Sequence, residues 1–312
     1  MTNMEIVNET VVTKNGGSVC VDRKLETKRL IIYLLFAFGI AWCIFIAFFL
    51  TGHKWDGSNQ RLESLVGLGM LAPLIAHVLT RLITKEGFAM TGKGSMMLGI
   101  SFKNKKWKYY LIAMLLPWLY VEISRVLPLI IKPELWDNEY YKVLEIDKRL
   151  IFIYPLIVII QTTIISCAAL GEEGGWRGYM MPKLIELLGL KKAVVIGGII
   201  WGIWHAPLTC VGHNFGTDYP GFPYLGIVLM CLFCIVMGMM LTYVTEKSGS
   251  VWPAAIMHAV NNGQPSILLF FINKDKYDQI FGIEAFTFLL IPTAVFGIIC
   301  FILMIKEQVS SK

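Results

Sequence analysis

Charge is scarce in this sequence: 16% of its 312 residues are charged and 56% are hydrophobic. Mean hydropathy is +0.62, and the apolar residues fall in runs long enough to cross a bilayer, which excludes an ordinary soluble globular domain. A disulfide framework is also lacking. The seven cysteines, Cys20, Cys43, Cys167, Cys210, Cys231, Cys234 and Cys300, are odd in number and lie mostly inside apolar runs. Cys231 and Cys234 enclose only Leu232 and Phe233, without the turn residues of a zinc knuckle or redox site, so they read as small core side chains. There is no internal repeat, no low-complexity segment and no loop long enough for a separate soluble domain. The net charge of +6 sits in short loops beside apolar runs, a positive-inside pattern that implies no nucleic-acid partner.

Several enzyme signatures are missing too. No GlyXSerXGly supplies a serine nucleophile and no HisGluXXHis supplies a zinc site. The one TyrAsp pair, Tyr277-Asp278, stands in a short polar connection without a GlyXGlyAsp partner, which argues against an aspartyl dyad. An Asp-rich DDXXD segment for a metal-bound prenyl diphosphate is likewise absent.

What is present is a series of apolar spans. Residues 1–29 form a polar tail with neither an apolar core nor a small-residue cleavage site, so the first span, about 30–51, reads as an uncleaved anchor. Further spans are expected at about 64–84, 109–131, from 150 to the Glu172 region, 192–208, 222–244, 251–272 and 284–305, with a short tail at 306–312. The expectation is an all-α polytopic membrane bundle of about eight transmembrane helices over 30–305. Arg81, Lys85, Lys93, Lys103, Lys105, Lys106 and Lys108 mark the loop after the second span as cytoplasmic, which places both termini on that side of the cell membrane. The mixed-charge connection 132–149 fits the outer side. Glu122 and Arg125, three residues apart in the third span, are expected to pair on one helix face.

The chain is organised around Gly171-Glu172-Glu173-Gly174-Gly175-Trp176-Arg177-Gly178. Carboxylates and an arginine at the end of an apolar run mark a functional site, because charge at membrane depth is costly unless paired or wet. A single helix over 150–188 would be roughly 58 Å long, too long for a bilayer, so it must bend. The glycines at 171, 174, 175 and 178 and Pro182 are the expected places. Leu188-Gly189-Leu190 reads as a tight turn between antiparallel helices, which brings Glu172 and His205 to about the same height across a hairpin. His258 and Asn262, four apart, share one helix face. Convergence of Glu172, Glu173, Arg177, His205, His258 and Asn262 on one polar cavity explains all of them together. His53, His77 and His213 have no comparable companions and read as loop or core residues.

A carboxylate in a low-dielectric pocket becomes a better proton acceptor, which suits a general base acting on water. An opposed histidine can orient that water or share the proton. An asparagine amide and a second histidine can donate to an oxygen turning negative during attack on a carbonyl. Glu173 and Arg177, four apart, make an ordinary helix ion pair. The set fits amide hydrolysis by activated water.

Glu172-Glu173-Gly174-Gly175-Trp176-Arg177, Trp201-Gly202-Ile203-Trp204-His205 and His258-Ala259-Val260-Asn261-Asn262 resemble the ordered GluGluXXXArg, PheXXXHis and HisXXXAsn motifs of the CPBP family. This family comprises type II CAAX prenyl endopeptidases and bacteriocin-processing or self-immunity proteins, also called Abi. The resemblance covers roughly 150–270. It implies an intramembrane glutamic endopeptidase with no cofactor and no metal, in which Glu172 and His205 activate water, His258 and Asn262 form the oxyanion hole, and Glu173 and Arg177 hold the site. The implied substrate is a membrane-associated, possibly prenylated or bacteriocin-type, peptide reached through membrane lipid. Trp201 stands where the family usually has Phe, and a packing role is expected of it. A zinc-dependent version using Glu172, Glu173, His205 and His258 and a non-proteolytic membrane scaffold or bacteriocin-immunity protein are the competing readings.

Overall fold

The computed structural model describes residues 10–12, 18–20, 22–273, 276 and 283–310; Tyr277-Asp278 lies outside these described residues. A short antiparallel hairpin, β1 (Thr10–Val12) and β2 (Ser18–Cys20), precedes an otherwise helical chain. Helix α1 (Arg23–Leu50) begins before the apolar run, because Asp22 caps it by accepting from the Leu25 N–H at 3.1 Å. Helix α2 (Gln60–Gly67) continues through a tight turn, Leu68–Leu71, into α3 (Ala72–Thr84). Helix α4 (Trp107–Ile131) is followed by the short α5 (Tyr140–Val143) and α6 (Lys148–Ile151).

The central region runs from α7 (Tyr154–Ile164) through α8 (Cys167–Gly175), a π turn (Trp176–Met180) and α9 (Met181–Leu188). After Gly189 come α10 (Leu190–Trp204), the single-turn α11 (Ala206–Thr209), α12 (Tyr224–Ser248), α13 (Trp252–Gly263) and α14 (Ile283–Ser310).

The fold is a helical polytopic membrane bundle, but its spans are fewer than the eight expected. Among the described residues five helical stretches are long and apolar enough to cross: α1, α2 with α3, α4, α12 and α14. A sixth arises if α7 and α8–α9, bent by 60°, count as one. Two apolar runs expected to span form helices of only 15 and 12 residues, α10 and α13. At 1.5 Å per residue these reach about 22 and 18 Å, short of a bilayer core of about 30 Å. Instead α10 lies along α12 and α13 along α4; α13 is buried within protein, whereas α10 buries one face and leaves Val195, Ile196, Ile199 and Ile203 exposed on the other. Side chains such as Leu35, Ile130 and Ile164 are left exposed on the outer faces, as lipid contact requires.

The break in the central helix also differs from expectation. The chain bends between Ile164 and Cys167, whereas the glycines remain helical. Their missing side chains serve close packing. A Cβ on Gly171 would come within 2.7 Å of the Met70 carbonyl oxygen, and one on Gly175 within 2.4 Å of the Pro73 carbonyl. The backbone at the start of α3 thus rests directly on α8. Pro182 sits in the first turn of α9, where a missing N–H costs little.

At the end of α3, Arg81 is not a solvated loop residue. It is buried, donates to His77 Nε2 at 2.6 Å and to the carbonyls of Gly87, Gly94 and Ser95 at 2.7–2.8 Å, and so straps the following loop to α3. His77 in turn donates from Nδ1 to the Gly174 carbonyl at 2.7 Å, the core role expected of it. Lys183 of α9 bonds Glu26 at 2.6 Å and Glu86 at 2.8 Å, tying α1, the loop after α3 and α9 together. Glu122 accepts from Trp118 Nε1 at 3.1 Å, Ser266 Oγ at 3.0 Å and the Ile267 N–H, which pins the segment after α13 to α4.

Candidate active site

The turn at Gly189, with φ of +76°, folds α10 back along α9. Glu172 near the end of α8 consequently meets α10, though the direct contact is with Trp201. The indole N–H donates to Glu172 Oε2 at 2.7 Å. His205 stands one helical turn further on, closing α10.

Glu173 and Arg177 form the buried ion pair the spacing predicts, with Arg177 Nη1 at 3.1 Å from Glu173 Oε2 and side-chain exposures of 0% and 2%. The same carboxylate accepts from His258 Nδ1 at 2.8 Å. Because a carboxylate here only accepts, Nδ1 carries the proton and Nε2 is the nitrogen left for other partners. The Arg177 guanidinium lies 4.3 Å from the Trp201 ring centroid, a cation–π contact in a dry setting. Trp201 also meets the rings of His205 and His258, at centroid distances of 5.9 and 5.5 Å. Beyond the packing expected of it, one indole touches every ionisable motif side chain except Glu173.

His205 donates from Nδ1 to the Trp201 carbonyl at 2.9 Å. This holds the tautomer whose Nε2 is an acceptor. Glu172, Trp201, His205, His258 and Asn262 line one cavity of about 830 Å³, and Glu173 and Arg177 stand behind its wall. Phe45, Val66, Met230, Phe233, Phe286 and Leu289 give the cavity an apolar wall, and Gln60, Glu63, Ser64, Arg125 and Gln264 add polar groups to its lining. All seven motif side chains singled out from sequence are thus brought together.

Three residues were not found by sequence. His213 also lines the cavity, its ring near-parallel to that of His205 at 6.4 Å and edge-on to Trp55 at 4.8 Å. Burial holds its imidazole down at about 4, so it is neutral at neutral pH. It follows an irregular loop, and no helical spacing ties it to His205. Asn261 lines the cavity and donates to Asn262 at 3.1 Å, and Tyr120 joins it from outside the lining through a hydrogen bond of 2.7 Å. A tyrosine within an apolar span and an asparagine doublet were the available signals.

Buried carboxylates and imidazoles on short helices, enclosed by longer apolar ones, define a polytopic membrane protein with an internal polar site. Residues 154–264 match the family model of the Type II CAAX prenyl endopeptidase Rce1-like proteins. CAAX prenyl protease 2 of Methanococcus maripaludis is 31% identical over 102 residues, which are 32% of this chain and 38% of that protein. The chain is similar to these proteins through this core, and matches about two fifths of that relative's length.

Proposed function

We propose that this protein is an intramembrane glutamic endopeptidase. Glu172 takes a proton from a water in the cavity while its other oxygen is held by Trp201; the hydroxide so formed adds to the scissile carbonyl carbon. His205 Nε2, an acceptor, orients the water. The developing oxyanion accepts from the Asn262 amide and from His258 Nε2, whose doubly protonated ring has Glu173 as its counter-charge. The proton held by Glu172 passes to the leaving nitrogen as the C–N bond breaks, which balances the hydrolysis. Glu173 and Arg177 hold His258 and the Trp201 ring.

The single observation that carries this reading is the difference between the adjacent glutamates. Glu173 is consumed by Arg177 and His258, whereas Glu172 has a neutral donor on one oxygen and lines the cavity. The apolar wall suits a substrate with a long hydrocarbon or large apolar side chain beside its scissile bond, and a prenylated CysXXX tail has that character. The protein would then lie in the cell membrane with both termini cytoplasmic, an even count of six spans keeping them on one side. Among the described residues no group of three or more His, Cys, Asp and Glu side chains is placed to hold a metal ion.

The test is cleavage of a panel of prenylated and leader peptides by purified protein in detergent, with Glu172→Ala and His205→Ala beside the wild type, each with and without chelator. Cleavage lost in both variants and indifferent to chelator is expected. Loss with chelator would favour the zinc-dependent version; capture of peptide without any cleavage would favour the scaffold.

A further inference from the structure

Tyr120 is wholly buried in α4, outside the 154–264 match, and does not line the cavity. Its hydroxyl donates to Asn261 Oδ1 at 2.7 Å, with Met237 Sδ also near at 3.8 Å. Asn261 is 7% exposed, and its Nδ2 donates to Asn262 Oδ1 at 3.1 Å. Asn261 and Asn262 both line the cavity beside His258, and Asn262 alone of the three is exposed.

The direction of this chain matters because the two ends of an amide are chemically opposite. A phenol donating to Asn261 commits its carbonyl end, and its NH2 end must then face Asn262. The carbonyl of Asn262 is committed in the same way, which leaves its NH2 as the group available to the cavity. An amide carbonyl in that place would set a lone pair against a negative oxygen.

We propose that Tyr120 and Asn261 form a relay that sets the amide of Asn262, making Tyr120 a positioning residue for the oxyanion of peptide-bond hydrolysis. The relay rests on the peptidase reading of the cavity. Without the phenol, the Asn261 carbonyl loses a buried donor, and either orientation of both amides becomes open to it. The site would then carry the right side chains in a mixture of orientations.

Tyr120→Phe keeps the ring and removes the donor; Asn261→Ala cuts the relay at its next link. Each is expected to lower kcat about ten-fold with KM within about two-fold, since an oxyanion donor acts in the transition state. Affinity for a peptide phosphinate, whose tetrahedral phosphorus carries the oxyanion, should fall by about the same factor. The double variant should be no slower than either single one. A purely structural clamp between α4 and α13 would lower the melting temperature or raise KM and leave kcat and phosphinate affinity in step with wild type; that result overturns the relay. So would additive losses in the double variant. If wild-type protein cleaves nothing, the peptidase reading falls and the relay with it, whereas wild-type cleavage with an unimpaired Tyr120→Phe removes the relay alone.

Discussion

Trp201 donates its indole N–H to Glu172 Oε2 at 2.7 Å. The aromatic position of the second motif is thereby wired to the first motif by a hydrogen bond that a phenylalanine cannot make. A bond to a charged acceptor contributes about 1.5–3 kcal/mol. Trp201→Phe should keep the fold and slow cleavage roughly 10- to 100-fold. Turnover at saturating substrate, with melting temperature as the control for folding, checks this. An unchanged rate would return Trp201 to a packing role.

The two glutamates should fail differently when each is changed to glutamine. Glu172→Gln leaves no base and is expected to abolish cleavage, by about a thousand-fold or more, in a stable protein. Glu173→Gln leaves Arg177, with 2% side-chain exposure, without its counter-charge. Breaking a buried pair in this way costs about 3–5 kcal/mol, so lost stability in detergent should dominate. Equal stability of the two variants would contradict the division of labour.

Gly175→Ala tests the packing of α3 on α8. The new Cβ would sit 2.4 Å from the Pro73 carbonyl, and backbone cannot swing aside as a side chain can. Overpacking of this kind costs about 1–3 kcal/mol or more, and the start of α3 must lift from the site. Gly39→Ala, where nothing lies within 4 Å of the new carbon, should be neutral to slightly stabilising. Thermal unfolding of the two variants side by side distinguishes contact from a general intolerance of alanine.

Acid sensitivity should arise in part at Glu86, in the loop after α3. Burial alone would raise this carboxyl, but hydrogen bonds from Lys183, Tyr179 and Thr84 overcome burial and hold it at about 2, against an ordinary 4.5. A carboxyl lowered on folding stabilises the protein above its unfolded value, so this contribution is complete above pH 4.5 and is lost as pH falls towards about 2. Glu86→Gln should therefore flatten the decline of melting temperature across that window. Parallel curves for variant and wild type would assign the acid sensitivity elsewhere.

The helical class, the Gly189 turn and the gathering of six polar residues around one cavity could be read from the chain, because periodicity and the cost of isolated charge in lipid leave few arrangements for them. Span number could not. Hydropathy measures burial without saying whether protein or lipid does the burying, and α13 is apolar because protein surrounds it, while α10 is apolar on its buried and its exposed face alike. The glycines of α8 misled in a related way: a missing side chain permits either a bend or a close neighbour, and only the position of Met70 and Pro73 decides between them. Tyr120 escaped because its partner Asn261 is far along the chain, and His213 because no helical spacing ties it to His205.

The π turn at Trp176–Met180 has the geometry of a single inserted residue, and each residue of an α-helix advances the helical wheel by about 100°. Upstream of it, Glu172 faces the cavity; downstream, Lys183 faces Glu26 and Glu86. Removing one residue to restore a regular helix would rotate α9 against α8 and send Lys183 off its two carboxylates, or else turn Glu172 out of its cavity. The cavity-facing and ionic layers of this helix are thus readable in one frame only, and that frame includes the extra residue.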